Sequence, residues 1–399
     1  MTTPWLTLVG IGDDGSLPAA GRTALEAAEV VYGGARHLDL AGDLKAETRV
    51  WPSPFSKVYE DLRILNGRKT VILASGDPQW FGIGSSLTQR FSREELTVLP
   101  SPSAFQLAAA RMGWAVQNTD CLSVHGRPLE TLRAALYPGA RILVLTSNAS
   151  APKLISGLLA EEGYGPSIMT ILEHLGGPNE RRVESTAEAF SADIADLHTL
   201  AIEARLAPGT TVRSRVPGLP DDAFVHDGKM TKREIRAVTL AALQPHPGAV
   251  LWDIGAGCGS IGIEWLRAAD RTSAIGLEPH KDRRAMAQQN ALALGVPHFK
   301  VVDASAPDGL SGLETPDAIF IGGGLTAEGV VPLCHAALEP GGRLVANAVT
   351  LESEQVLLAA WQEFGGELTR HAIQRASPVG GLTGWRPLMP VTQWSLIKT

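Results

Sequence analysis

Apolar and polar positions along this chain switch repeatedly between short unbroken apolar runs and stretches with three-to-four-residue spacing. That alternation predicts an α/β protein. Leu6-Thr7-Leu8-Val9 reads as a short strand running into glycines, 17–28 as a helix, and Val30-Val31-Tyr32 as a strand closed by Gly33-Gly34. Residues 70–74 read as a buried strand that enters a Gly-Asp-Pro turn. Residues 103–111 read as a helix entered by Ser-Pro and stopped by Gly113. Strands at 141–146 and 167–172 flank a helix at 152–162, and 197–203 closes this half.

Between 207 and 220 the periodicity breaks at Pro208, Gly209, Pro217, Gly218 and Pro220, the clearest linker in the chain. Domains at 1–206 and 221–399 are expected on either side of it. The second alternates again, with strands at 250–254, 273–277, 299–302, 318–321 and 343–347 and helices at 261–269, 283–294, 327–338 and 352–363. Two late strands near 367–374 and 393–398 complete a seven-stranded, doubly wound, Rossmann-like domain. A preceding helix at 235–243 opens on Thr231-Lys232-Arg233-Glu234, whose spacing predicts a capping box.

At 399 residues the chain exceeds a single core, which agrees with two domains. A net charge of −7 without blocks of like charge argues against a general nucleic-acid or anionic-membrane binder. Cys121, Cys258 and Cys334 form no CxxC pair, so neither a disulfide framework nor a metal site is expected. The start Met1-Thr2-Thr3-Pro4 lacks a cationic leader and no apolar run could span a bilayer, so a cytoplasmic enzyme is the expectation.

The strand at 250–254 ends in Asp253-Ile254-Gly255-Ala256-Gly257-Cys258-Gly259-Ser260. Glycines there let backbone approach a ligand and present helix-N-terminal amides. A dinucleotide loop wants glycine where Ser260 stands, so the pattern fits the Asp-x-Gly-x-Gly-x-Gly loop of S-adenosylmethionine-dependent methyltransferases better. Glu278, ending the next strand, is placed to accept from both ribose hydroxyls of the methyl donor. Its alternative role is to cap the helix that follows. Asp303 and Ala304 would flank the adenine, Asp253 would orient the loop or meet the methionine amino group, and Thr231 is a further candidate contact. Phe320-Ile321-Gly322-Gly323-Gly324 lacks the polar-Pro-Pro-aromatic element of amine methylation and leaves room for something bulky.

Four runs resemble a known family: Val225 to Glu234, Leu251 to Ser260, Phe320 to Gly324, and Asn347-Ala348-Val349-Thr350-Leu351-Glu352. They are similar to the C-terminal half of the cobalamin-pathway precorrin C-5,C-15-methyltransferases (decarboxylating). The N-terminal half resembles the tetrapyrrole methylases, a separate methyl-donor fold with two α/β subdomains. Val9-Gly10-Ile11-Gly12, Ser75-Gly76-Asp77-Pro78, Phe81-Gly82-Ile83-Gly84, Pro100 to Ala108 and Ser123-Val124-His125-Gly126-Arg127 carry that likeness. One departure is plain: the family's Gly-x-Gly-Pro-Gly turn here reads Gly10-Ile11-Gly12-Asp13-Asp14-Gly15.

The resemblance implies a bifunctional enzyme with two S-adenosylmethionine sites. Precorrin-6B would be methylated at C-5 by the first half and at C-15 by the second, which would also remove the C-12 acetate carboxyl, giving precorrin-8. It also implies a homo-oligomer. Gly10, Gly12, Gly76 and Asp77 would contact the donor in the first half, although Asp77 could equally bond its own turn. His125, Arg127 and Glu352 are the candidate catalytic groups, with the helix dipole as another reason for Glu352. A substrate rich in carboxylates wants arginines, and Arg36, Arg111, Arg127, Arg375 and Arg386 are candidates. Two other readings stay open. One is methylation of a different tetrapyrrole. In the other, one half has become a binding module, which the altered turn would place in the first.

Overall fold

The computed structural model describes residues 4–399. The chain forms two compact units, one built from the residues up to Leu129 together with Ala135–Thr210, the other from Thr211–Thr399 with Glu130–Ala134.

The first unit holds two five-stranded sheets. The first sheet contains β1 (Leu6–Ile11), β2 (Val30–Gly33), β3 (Glu47–Val50), β4 (Thr70–Ser75) and β5 (Leu96–Leu99) in the order β3-β2-β4-β1-β5. Every pair is parallel. β1 and β4 are apolar on both faces because the sheet packs on both sides, around Leu6, Leu8 and Ile72 on one and Val9, Val71 and Leu73 on the other. The second sheet contains β6 (Asp120–Ser123), β7 (Arg141–Leu145), β8 (Ile168–Glu173), β9 (Arg181–Thr186) and β10 (His198–Glu203) in the order β6-β7-β10-β8-β9. Only β6 and β7 run parallel; the rest is antiparallel. Between the sheets in sequence lies the helix Ala104–Met112, capped by Ser103 in a reciprocal box with Gln106 and closed by left-handed Gly113.

The second unit is a seven-stranded sheet of β11 (Val250–Ile254), β12 (Ser273–Leu277), β13 (Lys300–Val302), β14 (Ala318–Ile321), β15 (Arg343–Ala348), β16 (Glu367–His371) and, later in the chain, β19 (Val391–Ile397). Between these last two comes the separate hairpin β17 (Gln374–Val379) and β18 (Leu382–Pro387). The order is β13-β12-β11-β14-β15-β19-β16, parallel as far as β15 and antiparallel beyond it. The order reverses at β11, so a crevice opens beyond its carboxyl end, between the loops after β11 and β14.

Two expectations need correction. The Thr231-to-Glu234 capping box does not form: the helix Arg233–Leu243 has Lys232 at its N-cap with no side-chain cap, and Glu234 instead pairs with Arg375. Two guanidinium nitrogens engage both oxygens of that carboxylate, an ion pair that a single backbone amide cannot supply. The late strand expected near 367–374 ends at His371, and Gln374 belongs to the hairpin. Of the strands not anticipated, β3 and β9 are short or largely polar and so lack a strong period signal. Among the described residues no helix is long and apolar enough to cross a membrane.

Candidate functional site

Each unit presents a glycine turn at the carboxyl end of its first strand, β1 or β11. In the first unit β1 pairs with β4 so that Gly10 faces Ala74 and Ile11 faces Ser75. A methyl group on Gly10 would lie 1.9 Å from the Gly76 carbonyl oxygen and 2.5 Å from the Ser101 nitrogen. The backbones cross where no side chain fits. Gly76 sits at φ +57°, and its N–H donates to Ile11 O while its carbonyl accepts from Ser101 N. Asp77 Oδ1 accepts from Gln79 N at 2.8 Å, so the turn-making role of Asp77 is realised. Asp77 also lines the cavity beside it.

That cavity has a volume of about 500 Å³. Gly12, Gly76, Asp77, His125 and Arg127 line it, whereas Gly10 lies behind the wall as the crossing point. Arg36 reaches in, pairs with Asp13 and donates to Ser75 Oγ at 3.2 Å. His37 Nε2 is 2.8 Å from the same hydroxyl. Burial, helped by the Arg36 charge, pushes His37 down to about 4, so this imidazole is neutral near pH 7. The Arg127 guanidinium lies over the Phe81 ring, 5.0 Å from its centroid. His125 Nδ1 is 3.2 Å from Thr146 O. Arg111 is not at the cavity; it is held in a bidentate pair with Glu180.

In the second unit the loop after β11 passes through Gly255, Gly257 and Gly259 at φ +71°, +58° and +82°, which L side chains rarely adopt. A Cβ on Gly255 would lie 2.6 Å from Gly323 Cα, so the loops after β11 and β14 touch backbone to backbone. Gly259 packs against Phe299 and leads into the helix Ser260–Ala268. Gly255, Gly257, Cys258 and Glu278 line a cavity of about 330 Å³ together with Gly322, Gly323 and Gly324. Glu278 is buried and spans two amides: one oxygen accepts from Gly257 N and the other from His280 N, both at 2.9 Å. Both roles considered for it are therefore compatible, since each carboxylate oxygen keeps a second lone pair.

Asp253 is fully buried and accepts from Gly262 N at 3.0 Å, which fixes the helix start relative to β11. Burial raises it to about 7, with the neighbouring Glu278 charge adding to the rise. It orients the loop from below and is not a cavity residue. Ala256 is buried against the Gly276 position. Asp303 and Ala304 are not on the cavity wall; Ser305 and Ala306 are. Asp303 instead forms a bidentate pair with Arg284 at 2.9 and 2.7 Å. Thr231 stands outside the wall too, its carbonyl taken by Arg236, while Lys229 and Met230 face in. Glu352 is exposed in the first turn of the helix Leu351–Phe364, capped by Thr350. Arg375 is engaged by Glu234 and Asp221, and Arg386 faces it across the hairpin.

Several cavity residues escaped sequence reading. Asp13 was visible only as a departure from a pattern, and His37, Thr146 and His198 carry no motif. In the second unit Arg283 pairs with Asp227 at 2.9 Å on the cavity wall. Asn290 holds this wall: it bonds both the N–H and the carbonyl of Val225 and the carbonyl of Cys258. An asparagine in a helix gives no sequence signal for such a clasp.

Two families match, one per unit. Residues 6–191 match the tetrapyrrole (corrin/porphyrin) methylases and residues 222–398 the precorrin methyltransferase domain. A precorrin-6Y C(5,15)-methyltransferase [decarboxylating] of Sinorhizobium sp is 47% identical over 402 residues, spanning 100% of this chain and 97% of that protein. A probable cobalt-precorrin-6B C(15)-methyltransferase (decarboxylating) of Sulfurisphaera tokodaii is 32% identical, covering 38% of this chain and 81% of the relative. A cobalt-precorrin-7 C(5)-methyltransferase of Salmonella typhimurium is 29% identical, covering 47% of this chain and 94% of the relative.

Proposed function

The chain belongs to the precorrin-6Y C(5,15)-methyltransferase (decarboxylating) family, and on that footing we propose two S-adenosylmethionine-dependent carbon methylations of one precorrin. The first unit methylates C-5. The second methylates C-15 and removes the carboxyl of the C-12 acetate, giving precorrin-8. The observation that carries this reading is the pair of unrelated glycine turns, each opening on its own cavity, one per unit. Relatives named for one of the two methylations alone match less than half of the chain.

In the second unit the residues fit the methyl donor: a glycine-rich loop, open space at Gly324, and a buried carboxylate where ribose hydroxyls would reach it. Glu278 would hold the ribose and the Gly255–Gly257 backbone the methionine portion. In the first unit Gly12, Gly76 and Asp77 would hold the donor, and Arg36 and Arg127 the substrate carboxylates. The donor supplies an activated methyl electrophile, so these side chains need only align it with an electron-rich ring carbon. Alignment contributes roughly 7–11 kcal/mol in favourable cases. Decarboxylation sends the C–C bonding pair into the conjugated ring and ends with a proton on the methylene, leaving a methyl group. Lys229, on the second cavity's wall beside the Arg283–Asp227 pair, would orient that acetate. The enzyme works as a homo-oligomer in this reading.

Mass spectrometry of the product made from precorrin-6B tests the assignment. The full chain should add two methyl groups and remove one carbon dioxide, and a Gly255→Val variant should do neither the second methylation nor the decarboxylation. An unchanged mass with the full chain removes the corrin substrate from consideration.

A further inference from the structure

Thr146 and His198 meet on the wall of the first cavity, where β7 has just ended and β10 begins. Both are nearly buried, and Thr146 Oγ1 lies 2.7 Å from His198 Nε2. The hydrogen positions follow from the other ring nitrogen. His198 Nδ1 is 2.7 Å from the Ala195 carbonyl, which can only accept, so Nδ1 carries the proton. Nε2 of the neutral ring is then an acceptor, and the Thr146 hydroxyl donates to it. A hydroxyl oriented by a histidine, itself oriented by a third group, is the arrangement that activates oxygen for proton transfer. The cavity carboxylates already have partners: Asp77 accepts from Gln79 N, Asp196 accepts from Ala149 N, and Asp13 pairs with Arg36 and has His174 Nδ1 3.5 Å away.

Carbon methylation needs such an acceptor. The ring carbon gives an electron pair to the incoming methyl group as the sulfur–methyl bond breaks and its pair stays on sulfur. The substituted carbon still bears its hydrogen, in a cationic adduct, and must lose it as a proton for conjugation to return. We infer that Thr146 takes this proton while its own hydroxyl proton passes to His198 Nε2, so that the pair is the proton relay of the first unit. The inference rests on the reading of this unit as a carbon methyltransferase. The C–H bonding pair returns to the ring, and the imidazolium later releases its extra proton to solvent.

His198 has a sequestered setting. Glu173 stands opposite it in register on β8, itself paired with Arg181, and His174 follows Glu173. Asp196 precedes it and accepts from Ala149 N, and His125 binds the Thr146 carbonyl from the β6 side. Burial lowers His198 against the opposing pull of Glu173 and Asp196, which keeps Nε2 open as an acceptor at neutral pH.

The test uses the full chain, S-adenosylmethionine and precorrin-6B, reading each methylation by product mass and donor binding by calorimetry. Thr146→Val should slow the first unit's methylation by about 100-fold or more, the usual scale of acid–base catalysis, with donor affinity unchanged. Thr146→Ser should stay within about tenfold of wild type. The wild-type rate of this methylation should fall as acid protonates His198. In His198→Gln, which accepts a hydrogen bond but no proton, it should be slow and flat with pH. Full activity in Thr146→Val overturns the relay, and so does equal loss in the valine and serine variants, which would make the pair structural. A wild-type chain that binds donor yet methylates no precorrin overturns the substrate reading first, and the relay with it.

Discussion

The two units reach a similar surface feature, a glycine turn facing a cavity, from opposite directions. In the first, Gly10 and Gly76 let two segments of backbone cross, and the cavity wall is then made by side chains such as Asp13, Arg36, His37 and Thr146. In the second, Gly255, Gly257 and Gly259 bend the chain through left-handed conformations, Gly255 also meets Gly323, and the glycines share the wall with Lys229, Glu278, His280 and Arg283. A wide wall of charged and aromatic side chains suits a large, polyanionic ligand. A smaller, glycine-rich cavity with one buried carboxylate suits a ligand whose shape is fixed. Glycine in a motif therefore announces a close approach without saying whether protein or ligand makes it.

Alanine at the two turns would break this comparison most severely. Gly10→Ala places a methyl group 1.9 Å from a backbone oxygen, far inside van der Waals contact, so its cost should lie at or beyond the upper end of the roughly 1–3 kcal/mol of overpacking. It should lower the melting temperature of the chain and abolish the first methylation. Gly255→Ala meets both Gly323 Cα and an unfavourable φ of +71°, and should abolish the second methylation and carbon dioxide release while sparing the first. Thermal denaturation with product mass separates the two; a Gly10→Ala chain of wild-type stability would refute the crossing as described.

A smaller effect is expected from Glu278→Gln. Loss of the charge that Gly257 and His280 amides and a ribose would share should weaken donor binding at the second site by about 1.5–3 kcal/mol. Calorimetric titration should then resolve two classes of site, with the first unchanged. A single unaltered class would remove Glu278 from the donor site.

The gentlest probe is pH, because the two units contain groups shifted in opposite senses. His37 is lowered to about 4 by burial and the Arg36 charge, against partial compensation from Asp13. Unfolded chain binds its proton first, so its contribution is complete above the ordinary histidine value and is lost as pH falls toward 4. Asp253 is raised to about 7, so its contribution is complete below the ordinary aspartate value and is lost as pH rises through 7. Denaturant titrations across this range should show a shallower acid-side loss in His37→Gln and a shallower rise-in-pH loss in Asp253→Asn. Slopes unchanged from wild type in both variants would refute the assigned protonation states.

Much of the architecture was legible because it rests on local periodicity. The strands Val250–Ile254, Ser273–Leu277 and Ala318–Ile321 are short apolar runs buried on both faces, and their limits fall where the runs end. Gly113 stops its helix by a left-handed cap that any sequence reader would expect. The glycine turns, Glu278 at a strand end and the two-unit likeness were likewise written in short motifs. Tertiary structure decided what could not be local. Glu234 chose Arg375 on a distant strand over its own helix terminus, Asp303 turned to Arg284 on the outside, and Asn290 clasped Val225 and Cys258. It also joined Thr146 to His198, fifty-two residues apart, because antiparallel β7 and β10 bring the end of one strand beside the start of the other. Hydrophobic period fixes which residues are buried. Which polar partner each buried or charged group finds depends on the approach of elements remote in sequence, and only the folded chain sets that.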